Sequence, residues 1–216
     1  MMKTNAATKT GRVVPVAPER GLWWVVTCTV AAAVGIAVAR PVAELVREQM
    51  SQVLGGMLTV ALFGAIFGGC LGLGRALVQR GRPGPHPAWW VVASSVSGAV
   101  SYVLGVELAA ALTDPIRGKV LVYFSEVLAY LVLGAVFGLL LGLVQVGLQR
   151  TSRQGMVGWI ALSTLGWALG FVVAAGVGLL ITHLPSDTVR DLLFGGFTGL
   201  TAGSIEALVV ARRTRV

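Results

Sequence analysis

Arg75, Gln145 and Glu206 are polar side chains set into otherwise apolar stretches, and each closes the same motif. The three copies read Gly64-x3-Gly68-x3-Gly72-x2-Arg75, Gly134-x3-Gly138-x3-Gly142-x2-Gln145 and Gly195-x3-Gly199-x3-Gly203-x2-Glu206. At about 100° per residue, such steps hold three glycines and the polar group within one narrow stripe of a helix. Ionisable groups inside a membrane are costly and mark an interaction. An arginine and a carboxylate at matching positions suggest an Arg75 to Glu206 ion pair, with Gln145 hydrogen-bonded to it. Two other readings stand beside it. Arg75 snorkels to the headgroups while Glu206 sits near water, or the cluster binds a substrate.

Glu126 is a second candidate, lying among Tyr123, Phe124 and Tyr130. It reads either as a proton-linked or cation-binding carboxylate, or as an outer-interface carboxylate bonded to Tyr or Ser. Glu107 falls near the outer end of its apolar stretch.

Enzyme chemistry finds few parts here. The sequence holds no HExxH, GxSxG or Walker motif. His86 and His183 fall in predicted loops, so neither serves as an axial ligand within a membrane. Cys28 and Cys70 lie in apolar runs without CxxC or Cys/His spacing and read as small buried hydrophobes. No catalytic residue, metal site or cofactor is expected.

The elements that carry these residues follow from composition. Hydrophobic residues make up 56% of the 216 positions and charged ones 12%, too few to cover a water-soluble fold of this size. The 29 glycines are spread through apolar runs, as close helix packing in lipid requires. A net charge of +8 would raise nucleic acid as a partner, but the basic residues sit in short loops between apolar runs, so they set orientation in a bilayer instead.

About six transmembrane helices are predicted. A basic tail, 1–21, precedes a first span from Leu22 to Ala39. That span also resembles a signal peptide ending in Ala37-Val38-Ala39, but it takes part in the repeat described next. After Arg40-Pro41 an amphipathic external segment, 41–54, is expected at the interface. The second span runs from about Met57 to Gln79, the third from Ala88 to Leu112, the fourth from Val120 to Leu148, the fifth from Val157 to Thr182 and the sixth from Val189 to Ala211. Residues 212–216 form a basic tail.

The odd spans share Trp24, Cys28, Ala31, Gly35; Trp90, Ser94, Ser97, Ser101; and Trp159, Ser163, Gly166, Gly170. The glycine motifs occupy the even spans. The two patterns alternate and imply three parallel hairpin repeats, 22–79, 88–149 and 157–211, with Trp24, Trp90 and Trp159 as interface anchors. Basic residues concentrate on the side shared by the tail, the 2–3 and 4–5 loops and the C-terminus. That puts both termini in the cytoplasm. The expected setting is a bacterial inner membrane, with the lipid bilayer, and either other subunits or a second copy, as partners. A structural or accessory subunit is the favoured function, since few polar side chains are supplied to line a path. A small transporter or channel is the alternative.

Overall fold

The computed structural model describes residues 19–50, 52–80, 85–116, 122–149 and 153–212, and among them the only regular structure is six α-helices. These are α1 (Glu19–Gln49), α2 (Gln52–Val78), α3 (Pro87–Thr113), α4 (Val122–Gln149), α5 (Arg153–Leu180) and α6 (Asp187–Arg212). Most of both basic tails, and the loop residues Arg82, Arg117, Lys119 and Arg150, lie outside the described residues. The 26 residues of α6, the shortest helix, extend about 39 Å at 1.5 Å per residue, enough to cross a hydrocarbon core of about 30 Å.

Five helices, α1 to α5, are both long and apolar enough to cross a membrane. The sixth is long enough but carries Asp187, Arg190, Asp191 and Glu206. Around the outside the usual distribution is inverted. Val26, Val30, Val34 and Val38 form an exposed stripe on α1, and Val92, Val96, Val100, Leu104, Leu108 and Leu112 form another on α3. Continuous apolar stripes of this extent belong against lipid.

Helix starts and stops follow local chemistry. Pro87 opens α3, where its missing N–H would have no helical partner, and His86 caps it by accepting from the Ala88 amide at 3.3 Å. The Ser186 hydroxyl accepts from the Val189 amide at the start of α6. One expected boundary is corrected. Instead of a separate amphipathic segment over 41–54, α1 runs straight through Pro41 to Gln49, and Gln52 already belongs to α2. Pro41 removes one backbone hydrogen bond and crowds the carbonyl four residues earlier, and the helix continues past it for eight further residues, Val42 to Gln49.

Each helix packs on its sequence neighbours, and α6 closes back onto α1, so the bundle is a ring of six with no backbone contact across it among the described residues. The closest approaches recur at one spacing. A Cβ on Gly68 of α2 would collide with the Ser94 carbonyl of α3, one on Gly138 of α4 with the Ser163 carbonyl of α5, and one on Gly199 of α6 with the Cys28 carbonyl of α1. Four residues earlier on the even helices, Gly64, Gly134 and Gly195 meet the carbonyls of Gly98, Trp167 and Ala32 in the same way. Four residues later, Gly72 meets the Trp90 carbonyl in the same way, a Cβ on Gly203 would come within 2.9 Å of Cys28 Cβ, and Gly142 would bring a Cβ within 3.2 Å of Ile160 Cα. These stripes face the helix that follows each even helix around the ring, α6 being followed by α1.

Side chains fill the centre. Phe67 and Phe137 approach with ring centroids 5.1 Å apart, Phe137 and Trp167 at 4.9 Å, and Tyr102 and Phe171 at 6.2 Å, so rings from α2, α3, α4 and α5 meet across the bundle. Most of these contacts are tilted or edge-to-face, which the ring quadrupoles favour. One asymmetry organises the layer. Where α2 and α4 supply Phe67 and Phe137 three residues after their first stripe glycine, α6 supplies the smaller Thr198. Where α1 and α3 supply Ala32 and Gly98, α5 supplies Trp167, and all of Phe67, Phe137, Thr198 and Trp167 are fully buried.

Candidate functional site

One face of each even helix looks into the ring. Stepping by four, it presents Phe67, Leu71 and Arg75 on α2, Phe137, Leu141 and Gln145 on α4, and Thr198, Ala202 and Glu206 on α6, all of them buried. The last member of each set is polar, so one layer of the interior holds Arg75, Gln145 and Glu206 at 1%, 0% and 0% exposure. The expected ion pair is present. Arg75 Nη2 donates to Glu206 Oε1 at 3.1 Å and to Oε2 at 2.9 Å. This burial leaves no room for the snorkelling reading of Arg75.

Glu206 is also served by neutral donors. Trp24 Nε1 donates to Oε2 at 3.1 Å, while Ser163 Oγ and Trp167 Nε1 donate to Oε1 at 3.0 and 3.2 Å. Charge-assisted hydrogen bonds of this kind are what make a buried carboxylate tolerable. The Arg75 guanidinium lies 5.2 Å above the Trp24 ring, and Cys28 lies beside the pair.

Gln145 departs from expectation. Its Oε1 accepts from Trp159 Nε1 at 2.7 Å, and it makes no hydrogen bond to Arg75 or Glu206. The link is indirect, through the edge-on contact of Trp159 with Trp24 at 5.8 Å. The cause is geometric. Trp24 and Trp159 each reach the polar residue of the even helix that precedes them around the ring, and both Glu206 and Gln145 can accept from an indole N–H. Arg75, with no acceptor to offer, turns towards Glu206 instead.

The tryptophans therefore differ from the interface anchors expected of them. Trp24, Trp90 and Trp159 are buried inside the bundle, at 5%, 1% and 3% exposure. Their neighbours Trp23 and Trp89 are the exposed ones. Trp24, Ser163 and Trp167 enter the site without having been assigned to it from the sequence. The spacing that put Trp24 and Ser163 on a packing stripe was a signal of facing, and a stripe read for small residues does not announce donors.

The second candidate stands apart. Glu126 is exposed, and 19 positions separate it from Gln145 on the same helix, about 28 Å along the axis. Glu107 is exposed as well. At that far end the structure supplies an ion pair that spacing along the sequence does not reveal. Arg40 Nη1 donates to Asp191 Oδ1 at 2.8 Å and its Nε to Glu44 Oε1 at 3.1 Å. Thus α6 is tied through carboxylates at both ends, to α1 by Asp191 and to α2 by Glu206. Among the described residues no cluster of His, Cys, Asp and Glu could hold a metal ion.

The ring, its lipid-facing exterior and its buried polar layer define an all-helical, multi-pass membrane protein. No family model, curated protein or solved structure matches the chain.

Proposed function

We infer that this protein is a structural or accessory component of a membrane, a sealed bundle built from three copies of one helical hairpin. The observation that carries the reading is the interior. Interlocking rings of Phe67, Phe137, Trp167 and Phe171 span the ring, and a path for solute would need polar lining instead. The triplication is supported by the matched collisions of Gly68, Gly138 and Gly199 with Ser94, Ser163 and Cys28. In this reading α6 also crosses, because its two inner carboxylates are neutralised by Arg40 and Arg75. The positive-inside rule then puts both termini in the cytoplasm of a bacterial cell, in its inner membrane. Its partners are the bilayer and other membrane subunits or a second copy, with no role for nucleic acid and no catalysis. A small transporter is the second reading, and the buried pair of Arg75 and Glu206 favours it, since charge inside a membrane often marks a substrate path.

Purified protein in liposomes loaded with ion- and pH-sensitive dyes tests the two. A sealed scaffold leaves proton, sodium and chloride permeability at the level of empty liposomes. Flux that Glu206→Gln abolishes would replace the scaffold reading with the transporter.

A further inference from the structure

The donors of the polar layer are unevenly used. Glu206 accepts from four side chains, whereas Arg75 Nε and Nη1, Gln145 Nε2, Ser94 Oγ and Ser97 Oγ are buried with no hydrogen-bond partner within the protein. All of these atoms can donate, and all belong to α2, α3 and α4. The orientation of the Gln145 amide is not arbitrary. Trp159 Nε1 can only donate, so the oxygen must face it and the NH2 group must point elsewhere.

Position around the ring explains the gap. Ser94 stands on α3 where Ser163 stands on α5, each lying with its carbonyl against a stripe glycine of the preceding helix, Gly68 or Gly138. The Ser163 hydroxyl turns to Glu206 of the next helix, α6. The corresponding residue for Ser94 is Gln145 of α4, which is already bound to Trp159.

A buried donor left unmet is destabilising, so a set of five calls for lone pairs. We propose that this α2–α3–α4 side of the polar layer binds a small cluster of water molecules, held by Arg75 Nε and Nη1, Gln145 Nε2 and the Ser94 and Ser97 hydroxyls. Charge decides for water over an anion. Arg75 and Glu206 cancel, so an added anion would leave net negative charge in a low-dielectric interior. Water satisfies several donors and returns its own hydrogens to the serine oxygens. The aromatic layer of Phe67 and Phe137 lies about two turns from Arg75 and Gln145 and offers water no partners, so the cluster ends there.

X-ray radiolytic hydroxyl labelling of the full chain in nanodiscs, read by mass spectrometry, tests this, because radicals formed in bound water oxidise only adjacent side chains. Trp24 and Trp159 are expected to label severalfold faster than Phe67 and Phe137, which are also buried, at a rate unchanged when chloride is replaced by gluconate. Ser94→Ala is expected to slow labelling of Trp159 and to lower the melting temperature. Labelling of Trp24 and Trp159 as slow as that of Phe67 would overturn the proposal, as would a rate that follows chloride. A Ser94→Ala variant that melts at or above the wild-type temperature would overturn it too, because a dry site gains from losing an unmet hydroxyl.

Discussion

Arg75 meets Glu206 through a single nitrogen, Nη2, placed 3.1 and 2.9 Å from the two carboxylate oxygens, although 131 positions separate the residues in the chain. The contact is therefore a shared donor rather than the parallel two-nitrogen fork that arginine often makes. The carboxylate side of the pair is saturated, and the guanidinium side is not.

Removing one partner is expected to destabilise the bundle strongly, since it strands a buried charge. Arg75→Leu or Glu206→Leu alone should cost about 3–5 kcal/mol, and the double substitution should recover most of it. The reversed pair, Arg75→Glu with Glu206→Arg, should recover less, because Trp24, Ser163 and Trp167 aim hydrogens at position 206. Thermal melting of the four variants in detergent, monitored by tryptophan fluorescence, gives the order.

Gly138→Ala should separate α4 from α5, where a Cβ has no room beside the Ser163 carbonyl. A loss of roughly 1–3 kcal/mol is expected, in line with overpacking of a close interface. Gly196→Ala, which meets nothing within 4 Å, should stay within about 0.5 kcal/mol of the parent. Equal melting temperatures for the two would show that the stripe does not set the helix spacing.

Trp167 packs against Phe67, Phe137 and Phe171 in the aromatic layer. Trp167→Ala should cost about 3–5 kcal/mol through the cavity it opens. Trp167→Phe, which keeps one aromatic ring but loses the bond to Glu206 and part of the indole volume, should cost less, about 1–3 kcal/mol. A reversed ranking in chemical denaturation would place the hydrogen bond above the packing.

Arg40→Leu combined with Arg75→Leu leaves both Asp191 and Glu206 of α6 without a cation. The expected result is that α6 fails to stay across the membrane and a C-terminal tag moves to the opposite side. Protease access to the tag in sealed vesicles reads this directly, and an unmoved tag would show that α6 needs neither pair.

Much of the site was legible because helices translate spacing into facing. Glycines four apart, followed by a polar residue three further on, put Arg75 and Glu206 on comparable faces, and closure of the ring brought them together. Periodicity cannot say which neighbour a face meets. Gln145 was thus assigned to the ion pair rather than to Trp159, and Ser163 to packing rather than to Glu206. The doublets Trp23-Trp24 and Trp89-Trp90 each place one indole in and one out, and hydropathy gives both members the same interfacial preference. Pro41 signals a break, yet α1 absorbs the missing hydrogen bond and the crowded carbonyl and continues to Gln49. The pairing of Arg40 with Asp191 is invisible to spacing along the chain, since it depends on α6 lying against α1.

That last adjacency bears on how the protein is made. Every other neighbouring pair of helices is contiguous in the chain, so each new helix can dock on the one synthesised just before it. The seam between α1 and α6 closes only when the final helix arrives. Until then the backbone of Cys28 and Ala32 lacks the glycines that cover it, and Arg75 waits in the bilayer without its counter-ion. The interval before α6 is complete is therefore when the nascent chain is most exposed to membrane quality control, and a ribosome stalled there would leave a product that the cell can distinguish from the finished ring.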